Sequence, residues 1–182
     1  MSRAGSRRQG NYRRLSDPRV NSPSAPFTSS SRYLRSHRHG IFISYSRRDR
    51  RWVDRLLVHL KPLERDMSID IWEDSRIKPG EKWRTEIGNA LNSACVAVLI
   101  VSADFLASDF VMKDEVPILL QNAETRGTAI MPLIIAPSLF SQSSLNRFQT
   151  VNSPASPLSK LNSHQRDEIL VSLATSINEI TH

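Results

Sequence analysis

The 182-residue chain is long enough for one domain with a sizeable core, and its 39% hydrophobic and 24% charged residues are typical of soluble globular proteins. Its longest apolar run, residues 96–101, is far shorter than the roughly 20 residues that span a bilayer, so we expect no membrane-spanning helix and no apolar signal core. The single cysteine, Cys95, excludes an internal disulfide and is expected to pack as a small apolar residue in a reducing, cytoplasmic compartment.

The net charge of +7 is concentrated in residues 1–39. This segment holds nine arginines, no lysine and one acid, Asp17, so it carries +8 and the remaining 143 residues sum to −1. With few large apolar side chains it cannot offset its ordering entropy, which predicts a disordered Ser/Arg-rich tail. Four interpretations stay open: a solvated tail without a dedicated partner, weak polyanion binding, an organellar transit peptide, and a phosphorylation site at Arg13-Arg14-Leu15-Ser16.

Residues 40–182 alternate between strand-like and helix-like patterns. The apolar, β-branched run 40–44 predicts a first strand. Apolar residues recur at helical spacing over 52–60, which predicts a helix of about three turns that Asp49 is expected to cap. A second strand is predicted at 69–72.

The middle of the chain continues this alternation. A polar loop follows the second strand and contains the turn signal Pro79-Gly80. Trp83 starts the apolar stripe of a second helix, and 96–101 is the expected central strand, covered on both faces. A third helix is predicted within 111–124. The fourth strand, 129–135, contains a proline, which favours an outer position or a bulge.

Residues 137–162 have the weakest pattern, and 148–151 is the candidate for a short edge strand. Ser163 is expected to cap a last helix that ends at Ile180. Repeated strand–helix units of this length predict a single α/β domain with a parallel sheet and right-handed crossovers. Ligands of such sheets lie beyond the carboxyl ends of the strands, so the loops after Ser44, Trp72 and Ser102 are the places to look for function.

Several common classes with this architecture are excluded. The predicted central strand does not end in the phospho-accepting aspartate of a response regulator, since Asp104 lies too far into the loop. The sequence contains neither the GxGxxG turn of dinucleotide-binding folds nor a GxxxxGK[ST] phosphate loop. HExxH and GxSxG are also absent, and His59 and His164 lie far apart, which argues against metal or serine-hydrolase chemistry.

Four motifs in chain order resemble those of the Toll/interleukin-1 receptor (TIR) domain family, most of all its bacterial-type members. They are Phe42-Ile-Ser-Tyr45, Asp70-Ile-Trp-Glu-Asp74 with Ile77-Lys-Pro-Gly80, Val98-Leu-Ile-Val-Ser102, and Ser108-Asp-Phe110 with Asp114-Glu115. The resemblance covers residues 40–135 well and 136–182 loosely. It implies a flavodoxin-like doubly wound parallel sheet of about five strands.

The resemblance also implies two kinds of activity. One is homotypic TIR–TIR assembly through the BB loop, here Ile77, Lys78, Pro79 and Gly80. The other is cleavage of NAD⁺ at the nicotinamide–ribose bond, often only in assembled proteins, with NAD⁺ as substrate and no separate cofactor. The leaving nicotinamide departs neutral, so one carboxylate near the ribose is enough to stabilise the developing positive charge.

Glu115 resembles the family's catalytic glutamate, but the spacing differs. In the family this glutamate commonly follows a tryptophan by four positions, whereas Glu115 follows Phe110 by five and Asp114 occupies the four-residue position. We favour Glu115 because Glu-Val-Pro resembles the Glu-Leu-Pro of bacterial members. The alternative is that Glu115 is only a favourable charge in the first turn of a helix.

Further candidates for substrate binding lie on the same loops. Arg47 and Arg48 have the geometry for bidentate bonds to phosphates, although charged surface is the competing interpretation. The remaining candidates, each with packing or solvation as its alternative, are Tyr45, Glu73, Asp74, Trp83 and Phe110. The sequence therefore predicts an assembly-dependent NAD⁺ nucleosidase in immune or defence signalling, with a non-catalytic TIR adaptor as the alternative.

Overall fold

The computed structural model describes residues 40–67, 69–73 and 83–181. Within these ranges the chain forms four strands, five α-helices and one π-helix. In chain order they are β1 (Gly40–Ser44), α1 (Arg50–Met67), β2 (Asp70–Trp72), α2 (Trp83–Ser93), β3 (Ala94–Val101), α3 (Ala103–Ala107), the π-helix (Val111–Glu115), α4 (Val116–Arg126), β4 (Ala129–Ile134) and α5 (Ser163–Thr181). The predicted tail, residues 1–39, lies outside the described ranges.

The four strands form one parallel sheet in the order β2-β1-β3-β4. Strands β1 and β3 therefore lie in the interior of the sheet. Ser44, the last residue of β1, lies opposite Leu99 of β3, so the carboxyl ends of the two strands meet at one edge. This arrangement confirms the predicted single-domain, flavodoxin-like α/β fold.

Two hydrophobic cores cover the two faces of the sheet. Successive side chains of a strand point to opposite faces, so Ile41 and Ile43 belong to one core and Phe42 to the other. Helices α1 and α5 close the first core, and α2, α3 and α4 close the second. The continuous apolar run of β3 is explained by this double coverage, because residues 96–101 are all fully buried.

The prediction of an edge strand at 148–151 is wrong, and β4 forms this edge of the described sheet, with β2 at the opposite edge. Residues 148–151 contribute one bond to β4, from the Val151 amide to the Pro132 carbonyl at 2.9 Å. At the end of β4, the buried side chain of Asn152 takes the place of a fifth strand. The Asn152 Oδ1 accepts the Ile134 N–H at 2.9 Å, and the Asn152 Nδ2 donates to the Ile134 carbonyl at 3.0 Å. The proline in β4 does mark an outer strand, as predicted.

Two other details differ from the sequence predictions. Helix α1 has 18 residues rather than about three turns, because it continues through Pro62 and packs Leu63 against the first core. The cap of α5 is Asn162 rather than Ser163, since Asn162 and Gln165 exchange side-chain bonds to each other's backbone amides in a capping box. Cys95 packs half-buried against the first core, as predicted, and its thiol lies 3.4 Å from the Gly40 carbonyl oxygen.

Across the described ranges, no helix combines the length and apolar character needed to cross a membrane.

Candidate functional site

Two serines end neighbouring strands, and each donates a hydrogen bond to a buried carboxylate. Ser44 at the end of β1 donates to Oε2 of Glu115. Ser102, directly after β3, donates to Oδ2 of Asp49 at 2.6 Å and accepts the Phe105 N–H at 2.9 Å, which caps α3. Both hydroxyls are almost wholly buried, so the carboxyl edge of the sheet carries two fixed Ser–carboxylate pairs.

The π-helix explains why Glu115 follows Phe110 by five residues. The Val116 N–H bonds to the Val111 carbonyl, five residues back, where an α-helix would use the fourth. One extra residue is thereby accommodated within this turn. Glu115, with 3% of its surface exposed, reaches the strand-end serine, whereas Asp114 is half-buried. The geometry therefore brings Glu115 to Ser44, while the catalytic role of Glu115 or Asp114 stays a prediction.

A second network joins the ends of β1 and β2. The Tyr45 hydroxyl donates to Oε2 of Glu73 at 3.0 Å. Arg50 donates from Nη1 to the same carboxylate oxygen at 2.8 Å and to the Tyr45 hydroxyl at 3.1 Å. Burial, and then the negative charge of Glu73, raise the pKa of Tyr45 to about 12, so the phenol stays protonated at neutral pH and remains a donor.

An open cleft of about 440 Å³ lies beside these networks. Four of the sequence-predicted substrate-binding residues line it, namely Tyr45, Arg47, Arg48 and Phe110. Arg48 pairs with Asp104 at 3.0 Å, and 80% of its side chain is exposed. The cleft therefore combines two aromatic walls with a basic rim, which suits a ligand with a ring and an anionic group.

Among the described residues, neither Glu115 nor Glu73 lines this cleft, although both were predicted to belong to the site. Glu73 is buried and engages Tyr45 and Arg50, so its contact with the cleft is indirect. Trp83 begins α2, but its side chain lies outside the described part. Outside the described residues too are Asp74, Ile77, Lys78, Pro79 and Gly80.

Sequence reasoning missed four residues of the site: Ser44, Asp49, Arg50 and Ser102. Asp49 was expected to cap the first helix, but it lies within a 3₁₀ turn, Arg47–Asp49, and its carboxylate accepts the Ser102 hydroxyl. Burial raises the pKa of Asp49 despite that hydrogen bond. The position of these polar residues at the ends of predicted strands could have indicated them, because the carboxyl ends of adjacent parallel strands meet at one edge of the sheet.

The two histidines within the described residues, His59 and His164, lie outside this site. His59 on α1 contacts Asp167 at 3.2 Å, and His164 on α5 contacts Glu168 at 3.2 Å. Among the residues that the structure describes, no group of three His, Cys, Asp or Glu side chains is placed to hold a metal ion.

The parallel sheet is covered by helices on both faces and carries its polar networks at the carboxyl edge, which places the chain in the doubly wound α/β class. Residues 41–164, more than half of the chain, match the family model of the TIR domain, and the chain belongs to that family.

A curated relative and two solved structures are similar to the chain. The protein y4lF of Sinorhizobium fredii is 27% identical over 139 residues, which are 76% of this chain and 42% of y4lF, so the chain spans less than half of that relative's length. The TIR domain of the Toll-related receptor TRR-2 from Hydra magnipapillata is 20% identical, with 78% of this chain and 98% of that one covered and a TM-score of 0.49. The TIR domains of the activated Roq1 resistosome are 16% identical, with 78% and 82% covered and a TM-score of 0.46.

Proposed function

We propose that this chain is a TIR-domain signalling protein that cleaves NAD⁺ at the nicotinamide–ribose bond when it self-assembles, in immune or defence signalling. The observation that carries the proposal is the buried Glu115 carboxylate, which is held by Ser44 at the carboxyl edge of the sheet. The next residue, Tyr45, lines a cleft with aromatic walls and a basic rim.

The chemistry needs one anionic group near the ribose. The bond between the ribose carbon and the nicotinamide nitrogen breaks, its electron pair leaves with nicotinamide, and the ring nitrogen becomes neutral. The positive charge that develops on the ribose is stabilised by the Glu115 carboxylate. Water then adds to the ribose carbon and loses a proton, which gives ADP-ribose; attack by the adenine ring instead gives a cyclic product.

The arginines at the cleft suit the diphosphate of NAD⁺. A guanidinium forms paired, charge-assisted bonds to phosphate oxygens. The pair between Arg48 and Asp104 is exposed on both sides, with side-chain exposures of 80% and 44%, and such pairs contribute only about 0.2–1 kcal/mol. Arg48 can therefore exchange Asp104 for a diphosphate at little cost, while Arg47 is exposed at the same rim.

The burial of Glu115 is the reason why we expect cleavage to require assembly. With 3% of its surface exposed, the carboxylate of the single chain offers a ribose little to contact. We therefore expect that association with a second copy rearranges this edge and opens access to Glu115. Activity should then depend on protein concentration more steeply than in first order.

The test is an incubation of purified protein with NAD⁺ at several protein concentrations, with nicotinamide release followed by chromatography. Glu115→Gln keeps the size of the side chain and removes its charge, and Asp114→Asn is the matched control on the neighbouring carboxylate. We expect release that rises more than linearly with protein, is lost in Glu115→Gln and persists in Asp114→Asn. Loss in Asp114→Asn alone would move the role to Asp114.

The adaptor alternative makes the opposite prediction for the same protein. If no nicotinamide is released at high concentration or with a crowding agent, cleavage by this chain is rejected. Self-association measured by light scattering, and weakened by Pro79→Ala in the BB loop, would then support homotypic TIR–TIR binding as its function.

A further inference from the structure

A second cavity lies on another side of the molecule, between α1 and α5. It has a volume of about 370 Å³, and its lining includes three arginines, Arg51, Arg55 and Arg166, together with Trp52 and Asp167. It shares no lining residue with the cleft at Tyr45. Consecutive residues of a helix point about 100° apart, so Arg50 can join the Glu73 network while Arg51 faces this cavity.

The cavity carries more positive than negative charge. Arg55 donates to both carboxylate oxygens of Asp167, at 3.0 and 2.6 Å, so these two charges offset each other. Within the described residues, neither Arg51 nor Arg166 has a carboxylate at salt-bridge distance. Two guanidinium groups without a directly paired carboxylate therefore remain in one concave site, with the Asp49 carboxylate acting on Arg51 from a longer distance. Residues 40–182 together sum to −1.

These guanidinium groups are held in place before any ligand arrives. The central carbons of Arg51 and Arg166 lie 5.4 and 5.3 Å from the centre of the Trp52 ring. Arg166 also donates from Nε to the Leu158 carbonyl at 2.8 Å, and a guanidinium has five N–H donors in all. Because the groups are already ordered, less conformational entropy is lost when they bind an anion.

We propose that this cavity binds a small ligand carrying a diphosphate group. Ordered guanidinium groups recognise phosphate oxygens through paired bonds, and two guanidinium groups without a salt-bridge partner match a diphosphate better than a monovalent anion. The volume lies within the range of small-molecule sites, and the charge is concentrated in a concavity rather than spread along a surface as a polyanion would require. This site is independent of NAD⁺ cleavage at Glu115.

The probe is inorganic pyrophosphate, added to the ¹⁵N-labelled full chain at constant ionic strength. The three tryptophans each give one indole N–H signal, and the spectrum of Trp52→Phe identifies the one at the cavity. We expect the Trp52 signal to shift and saturate with pyrophosphate, and Arg51→Gln to weaken the affinity by about tenfold or more. Arg51 is exposed, so this change should leave the thermal midpoint unaltered.

Two controls separate the cavity from general charge effects. Arg65→Gln removes the same charge from an exposed position on the same helix, and Arg47→Gln removes it from the cleft. Both should leave the pyrophosphate affinity that is measured from the Trp52 signal unchanged, because this signal reports on the cavity and not on the cleft at Arg47. The proposal is overturned if the Trp52 signal does not shift, if chloride at equal ionic strength produces the same shift, or if Arg65→Gln or Arg47→Gln weakens binding as much as Arg51→Gln.

Discussion

Asn152 offers the sharpest test of how this fold is completed at its edge. Its amide joins three backbone groups: Oδ1 accepts the Ile134 N–H, and Nδ2 donates to the carbonyls of Ile134 and Ser156 at 3.0 Å each. The side chain is 8% exposed, so water cannot readily replace these bonds. Asn152→Ala removes all three at once.

The expected loss of stability follows from the number of bonds. A typical internal hydrogen bond contributes about 0.5–1.5 kcal/mol, so three give about 3 kcal/mol in total. For a folded part of this size, one kcal/mol corresponds to about 2–4 °C in the midpoint of thermal unfolding. We therefore expect Asn152→Ala to lower the midpoint by about 10 °C.

The measurement is thermal and urea unfolding followed by circular dichroism. Asn146→Ala is the control, because Asn146 is exposed and donates one bond, to the Ser141 carbonyl at 2.8 Å. It should cost less than about 1 kcal/mol. Asn152→Asp keeps the acceptor but loses both donors, and it should be at least as destabilising as Asn152→Ala at neutral pH. A loss below about 1 kcal/mol for Asn152→Ala would refute the view that this side chain stands in for a strand.

Three further predictions concern the site and the helices. If Glu115 acts on NAD⁺, Ser44→Ala should lower nicotinamide release by about 10–100-fold, equivalent to about 1.5–3 kcal/mol, while Ser46→Ala stays near the unaltered rate; equal effects would contradict the positioning role of Ser44. The pKa of Tyr45 is raised from 10.0 to about 12, so the stabilising contribution of its neutral phenol is complete below pH 10 and is lost as pH rises through 12. The difference in unfolding free energy between the unaltered chain and Tyr45→Phe should shrink over that interval, and a constant difference in urea titrations would speak against it. Gly88 lies inside α2 with open space where a Cβ would point, and Gly127 ends α4 with φ of 69°. Gly88→Ala should raise the unfolding free energy by about 0.5–1 kcal/mol and Gly127→Ala lower it by about 1 kcal/mol, and thermal shifts of the same sign would count against this account.

Hydrophobic periodicity predicted the order of strands and helices because burial on one or both faces leaves a direct trace in the sequence. The continuous apolar run of β3 and the helical spacing in α5 are examples. Strand-end position likewise indicated where the site would form, since residues after Ser44 and Ser102 meet at one sheet edge.

Hydrogen bonds made by single side chains leave no comparable pattern in the sequence. The partner of Ser44 depends on a π turn whose hydrogen bonds the hydrophobic periodicity does not indicate, and spacing alone favours Asp114 over Glu115. The edge of β4 is completed by one asparagine in a loop, where a short β-branched run looked like a strand. Asp49 accepts a hydrogen bond from Ser102 instead of capping the first helix, and this contact joins residues far apart in the chain.

The π-helix also bears on how the cleft and the carboxylate can change over evolution. A residue inserted into a regular α-helix rotates all that follows by about 100°, which would turn Glu115 away from Ser44. A single π turn absorbs the insertion locally, so α4 keeps its packing in the core while the cleft wall at Ser108 and Phe110 is displaced. In this chain, the π turn therefore accommodates one further residue in the wall segment and keeps the Ser44–Glu115 pair.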